Sequence, residues 1–151
     1  MVVHIDEGAL RRLLAGHDEQ LAICDTLEQI ADGLPHDVDS ALCHRTAERL
    51  HAVMQEATAN ERAILGATLV EIGTVRHLDV SRTARRLLRE SDEDLSHAEE
   101  LQDALSTIGT DRPTVCTDAL GYMLRGFFEA RKRRIALERE VVMALLGTTA
   151  H

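Results

Sequence analysis

Residues 13–35 read LLAGHDEQLAICDTLEQIADGLP, and this stretch decides the fold. With Leu10 just before it, Leu13, Leu14, Leu21, Cys24, Leu27 and Ala31 recur at steps of three and four, the spacing of one helix face. Gly33 and Pro35 close the segment, a glycine to end a helix and a proline where helix cannot easily resume. Asp6 offers a side-chain oxygen to the first unpaired N–H groups. The prediction is a helix over residues 7–32, roughly 40 Å long at ~1.5 Å per residue. So long an amphipathic rod needs partners of its own kind.

The rest of the chain supplies them. Gly73, Gly109 and Gly147 follow three further periodic segments, and Pro113 follows Gly109. Starts are marked by Asp37 or Asp39, by Asp79 or Ser81, and by Thr114 or Thr117. The segments predicted are 39–72, 80–108 and 117–146. Their stripes include Leu50, Met54, Ala57 and Ile64 in the second, Leu87, Leu95, Ala98 and Leu101 in the third, and Leu120, Leu124, Phe127 and Val141 in the fourth. Short connections make antiparallel neighbours, so the expected fold is all-α, an up-down-up-down four-helix bundle forming a single domain over 1–151. Composition agrees. In 151 residues only 2% are aromatic, so the core is built from Leu and Ala, which excludes an all-β fold.

A formal charge of −9 repels phosphate backbones and argues against nucleic acid as a partner. No apolar run approaches the ~18 residues that span a membrane, and the first ten residues lack the features of a secretory signal. Cys24, Cys43 and Cys116 show no metal-type spacing, and an odd set of thiols fits a reducing cytoplasm.

Each stripe is interrupted once by polar residues. His17 falls between Leu14 and Leu21, Glu61 between Ala57 and Ile64, and Ser91 between Leu87 and Leu95. Arg131, Arg134 and Glu138 fall between Phe127 and Val141. Burying an unpaired charge costs several kcal/mol, about 3–5 when its partner is missing. Four interruptions facing one interior therefore predict a shared polar layer, the arrangement from which bundles build metal sites. Arg131 is expected to run outward to solvent along its apolar stem. His44 and His51 share an outer face and are read as solvated, and the Asp94–His97 spacing is a weak ligand signal.

These residues resemble a known family. The segment LLAGHDEQLAICDTLEQIADGLP is similar to the opening helix of bacterial hemerythrin-like (HHE cation-binding) domains, with its histidine at His17. FFEARKRRIALEREVVMALL (127–146) is similar to the closing helix, where a histidine and a glutamate four residues later reach the metal. The resemblance implies a centre of two irons, held mainly by five histidines and two bridging carboxylates, for oxygen binding, sensing or iron handling. It assigns His17, Glu61 and Glu138 as remnant metal ligands. Three other positions depart from the pattern: Ala57, Ser91 and Arg134 stand where histidines are expected. His77 lies in the presumed loop as a possible substitute ligand. Alanine offers no donor, serine a poor one, and arginine is a permanent cation. The expectation is that Arg134 pairs with Glu61 and Glu138 and supplies the charge iron would have brought.

The function expected is a non-enzymatic binding, regulatory or assembly module without a cofactor, working as monomer or homodimer with an unidentified protein or small ligand. The alternative is a non-haem iron protein binding or sensing oxygen through a rearranged site. A weaker alternative is a haem or apolar-ligand carrier with His17 as the axial donor.

Overall fold

The computed structural model describes residues 6–146. Its helices are α1 (Glu7–Gly33), α2 (Ser40–Leu65), α3 (Ala67–Val75), α4 (Ser81–Thr107) and α5 (Thr117–Leu146), with no strand among the described residues. The four long helices form the all-α bundle. α1 packs on α2 and α5, and α4 packs on the same two, so the bundle closes as α1–α2–α4–α5; α3 caps one end against α2, α4 and α5.

Local chemistry sets the starts. The Asp6 carboxylate accepts from the Gly8 N–H at 2.9 Å and Asp39 from the Leu42 N–H at 3.0 Å. Asp79 accepts from both the backbone and the hydroxyl of Ser81. At α5 the expected Thr114 or Thr117 cap is replaced by Cys116. Its carbonyl accepts from the Leu120 N–H and its thiol from that of Ala119.

The glycine reading needs one correction. Segment 39–72 is two helices, divided at Gly66, where ψ is −128° and an added Cβ would lie 2.8 Å from the Arg62 carbonyl. Helix then runs on through Gly73, which was expected to end it, as far as Val75. Gly73 is needed for a different reason: the returning loop donates the Leu78 N–H to its carbonyl, and a Cβ would meet the Leu78 carbonyl at 2.6 Å. Gly109 does behave as expected, with φ +77°, and sits so close to Ser40 that no side chain fits. The break expected at Gly147 lies outside the described residues.

Packing divides the interior into three tiers. One apolar cluster includes Ile23, Leu27, Leu50, Met54, Leu101, Leu105, Leu124 and Phe127. A second, at the α3 end, includes Leu13, Ile64, Leu65, Leu87, Val142 and Leu145. Between them along each long helix lie the buried polar residues.

Candidate functional site

The middle tier draws on every long helix: His17 and Gln20 from α1, Glu61 from α2, Ser91 and Asp94 from α4, and Arg131 and Glu138 from α5, all buried. The shared polar layer expected from the interrupted stripes is thus present. Ala57, one turn before Glu61, is buried at its edge.

Its centre is Arg131, whose side chain is 0% exposed. Each of the three guanidinium nitrogens donates one bond. Nε donates to Gln20 Oε1 at 2.6 Å, Nη1 to Asp94 Oδ2 at 3.0 Å and Nη2 to Glu61 Oε1 at 2.5 Å. Burial alone would lower its pKa, but Glu61, Glu138 and Asp94 outweigh that and hold it above the ordinary value. The expected outward course of Arg131 is therefore wrong. Seven residues separate Leu124, Arg131, Glu138 and Leu145, so all four lie on one inward line.

Arg134 takes the role of neighbour. Its Nε and Nη2 donate to the two oxygens of Asp94 at 2.6 and 3.0 Å, and Nη1 donates to Glu90 at 2.6 Å. The expected pairing of Arg134 with Glu61 and Glu138 is corrected: Arg131 meets Glu61, while Arg134, 14% exposed, closes the tier at its rim. Position 134 is one turn from 131, and the helix rotation sends it to the α4 side.

His17 is also enclosed. Its Nε2 lies 2.8 Å from Glu138 Oε2, and Arg139 Nε donates to its Nδ1 at 3.3 Å. Because Nδ1 accepts, Nε2 carries the proton and donates it to Glu138. Burial, with the Arg139 charge adding to it, lowers the His17 pKa to about 4, so the ring is neutral near pH 7. Arg139 is anchored in turn by Asp18 at 2.8 Å.

Glu61 and Glu138 bring their carboxyl groups together. Burial pushes the Glu61 pKa up to about 8, the Glu138 carboxyl adds to this, and Arg131 opposes it. Glu61 Oε2 and Glu138 Oε1 lack a donor if both groups are charged. A proton on Glu61 closes that gap as a bond between the two carboxyls. It also reduces the excess of negative charge, since Arg131 and Arg134 otherwise face four carboxylates, at 61, 90, 94 and 138. Ser91 Oγ is buried near enough to Glu61 to affect its charge, but has no hydrogen-bond partner.

These residues do not fit a two-iron centre. The His17 Nε2 proton is committed to Glu138, Glu61 Oε1 to Arg131, and both Asp94 oxygens to arginines. A fully buried guanidinium stands among the carboxylates that would face the metal. Among the described residues, no group of three or more His, Cys, Asp or Glu is arranged to hold a metal ion. His77 is exposed in the loop before α4, with φ +59°. Ser91 lies ten residues along α4 from Ser81, roughly 15 Å away, so His77 does not serve this tier.

Other positions resolve simply. His44 is half-buried and its Nε2 bonds the Ile108 carbonyl at 3.0 Å, tying α2 to the end of α4. His97 is exposed while Asp94 faces inward, so the two do not form a site. The three cysteines are free thiols, and burial raises Cys24 to about 11, an inert core group. Gln20, Asp94 and Arg139 were not singled out from the sequence as members of the tier. No helix among the described residues is long and apolar enough to cross a membrane.

Comparison with known proteins gives one match. The family model described as Hemerythrin HHE cation binding domain matches residues 8–146. No curated protein and no solved structure matches the chain.

Proposed function

Since the chain belongs to the hemerythrin HHE cation-binding family across residues 8–146, we propose that it is a member whose diiron centre has been replaced by an internal ion-pair network, and that it acts without catalysis or cofactor. The observation that carries this reading is Arg131. Its guanidinium lies fully buried and bonds Gln20, Glu61 and Asp94, so a permanent cation occupies the tier in which the family places metal. The role that fits is a binding, regulatory or assembly module. The −9 charge supports a protein or small-molecule partner over nucleic acid, and three free thiols support a cytoplasmic setting.

One observation favours a rearranged iron site. With Glu61 ionised, Glu61 Oε2, Glu138 Oε1 and Ser91 Oγ are buried oxygens without hydrogen-bond partners. Three oxygens suit one hard ion better than two irons. The haem reading has less behind it, because both His17 nitrogens are engaged.

Metal analysis after iron-replete expression separates these readings. The expected result is far less than two irons per chain and no oxygen-sensitive charge-transfer band. Near-stoichiometric diiron would overturn the proposal. Restoring donors with Ala57→His, Ser91→His and Arg134→His should gain little iron while Arg131 remains, and more once Arg131→Leu is added.

A further inference from the structure

On α4, Glu93, His97 and Glu100 follow at steps of four and three, so they share one helix face. All three are exposed, and they line one side of a groove of about 330 Å³ between α4 and α5. That volume lies at the small end of the range that ligand sites occupy, about 300–1,000 Å³. From α5 the lining is hydrocarbon and ring: Met123, Phe127 and Ala130. Phe127 is only 5% exposed and joins the groove to the apolar cluster beneath it. Tyr122, 87% exposed, also borders it. At Gly126 an added Cβ would meet nothing within 4 Å, so bare backbone leaves the space open.

Four charged residues line this groove, Glu93, Asp94, Glu100 and Arg134, and two of them neutralise each other. Arg134 donates to both oxygens of Asp94, and Arg131 holds the same carboxylate from inside. Glu93 and Glu100 are left. Neither carboxylate has a hydrogen-bond or ion-pair partner among the described residues. Seven residues apart, they stand two turns from each other along the wall, roughly 10 Å at ~1.5 Å per residue.

Charge and shape together select the ligand. An anion is repelled by both carboxylates. A neutral apolar molecule would cover Met123 and Phe127 while drawing the carboxylates partly out of water without a partner. A monoamine satisfies one carboxylate and leaves the other. A hydrocarbon chain with an ammonium group at each end satisfies both and lays its methylene groups on the apolar side. Tyr122 offers a ring to one of those ammonium groups.

We propose that the groove between α4 and α5 binds an aliphatic diammonium ligand, the chemical class of the polyamines, with its two ammonium groups on Glu93 and Glu100. The proposal rests on the reading of the chain as a binding module and adds the class of ligand. Both carboxylates are exposed, so each contact is screened by salt and the dissociation constant should be on the order of 1 mM.

The test is a titration of the full chain with hexamethylenediamine at fixed ionic strength. The chain has one tyrosine and no tryptophan, so its emission reports on Tyr122 beside the groove. Saturable binding about three- to fivefold tighter than that of hexylamine is expected, and none with adipate, the dianion. Glu93→Gln or Glu100→Gln should each bring the diamine down to the level of hexylamine. Gly126→Leu, which keeps every charge and whose Cβ meets no neighbour, should weaken both amines about fivefold by filling the groove. All three positions are exposed, so helix content by circular dichroism should stay unchanged. The proposal is overturned if no saturation is reached by about 20 mM, if hexylamine matches the diamine in the wild type, or if the Gln variants bind as it does. A two-lysine peptide that binds more than about tenfold tighter than the diamine also overturns it, because the occupant would then be a protein segment. Near-stoichiometric diiron would sink the binding-module reading on its own, whereas a failed titration sinks only this groove.

Discussion

The two apolar ends of the bundle and its charged middle are built from the same four helices under opposite rules. At the ends, Leu50, Leu105, Leu13 and Leu87 are buried and need only fill space beside other hydrocarbon. In the middle, each group depends on particular others: Arg131 on Glu61, Gln20 and Asp94, and His17 on Glu138 and Arg139. The apolar ends supply net stability by burial. The middle tier supplies little, because desolvation of its charges offsets their attraction, yet it is costly to break. Such a bundle can lose metal donors and keep its fold, provided that the charges left behind are re-paired.

The largest expected effect tests that dependence. Arg131→Ala leaves Glu61 without its cation and Gln20 without its donor, and should cost about 3–5 kcal/mol in denaturant unfolding at pH 8.5. At pH 6, where Glu61 holds its proton, the cost should be smaller. Arg134→Ala should cost roughly half as much, since Arg131 still holds Asp94 and the site is 14% exposed. Arg131→Met combined with Glu61→Met should be milder than Arg131→Ala alone, because no stranded partner remains at position 61. If Arg131→Ala costs under about 1 kcal/mol at both pH values, the middle tier is wet and the contrast with the ends collapses.

An intermediate effect appears in pH. Glu61 titrates near 8 in the fold against an ordinary 4.5, so between those values the native state holds a proton that the unfolded chain lacks. Its contribution is fully present below about 4.5 and is lost as pH rises toward 8. His17 has the opposite sign: lowered from 6.5 to about 4, it contributes above 6.5 and loses that contribution as pH falls toward 4. The two slopes cancel between about 4.5 and 6.5, leaving a decline from 6.5 to 8 of about 2 kcal/mol at most. Unfolding of wild type and Glu61→Gln at pH 6.5 and 8.5 isolates the term. A decline that persists in Glu61→Gln would assign it elsewhere.

The same contrast explains how much was legible in the sequence. Leu, Ala and glycine spacing was enough for the helices and ends, because periodicity reports burial and apolar side chains are interchangeable. The caps at Asp6 and Asp39 and the turn at Gly109 were readable because each is local. Presence of a polar layer was readable too, since interrupted stripes mark it. Its wiring was not. Residues 131 and 134 both lie within the inward arc of α5, and choosing between them depends on which facing helix presents which carboxylate. The seven-residue line through Leu124, Arg131, Glu138 and Leu145 was a usable signal, as was Leu87, Asp94 and Leu101 on α4. Gly66 and Gly73 were misassigned for a related reason: both answer to close backbone contacts, which sequence does not display.

The smallest effect sharpens the comparison with two substitutions that look equally mild. Leu50 is fully buried among apolar neighbours at one end. Leu50→Met keeps nearly the same volume and needs no partner, so it should cost under about 1.5 kcal/mol. Arg131→Lys keeps the charge and most of the stem, but replaces a planar fork with a single ammonium. Gln20, Glu61 and Asp94 lie around three different guanidinium nitrogens, and one Nζ cannot reach all three. At least one buried acceptor is then stranded, at about 1–3 kcal/mol for each. The Lys variant should therefore be the more damaging of the two, although it preserves the charge. Parallel urea titrations decide the matter. Equal costs would mean that the middle tier tolerates exchange as the ends do, and that geometry around Arg131 matters less than the presence of a cation.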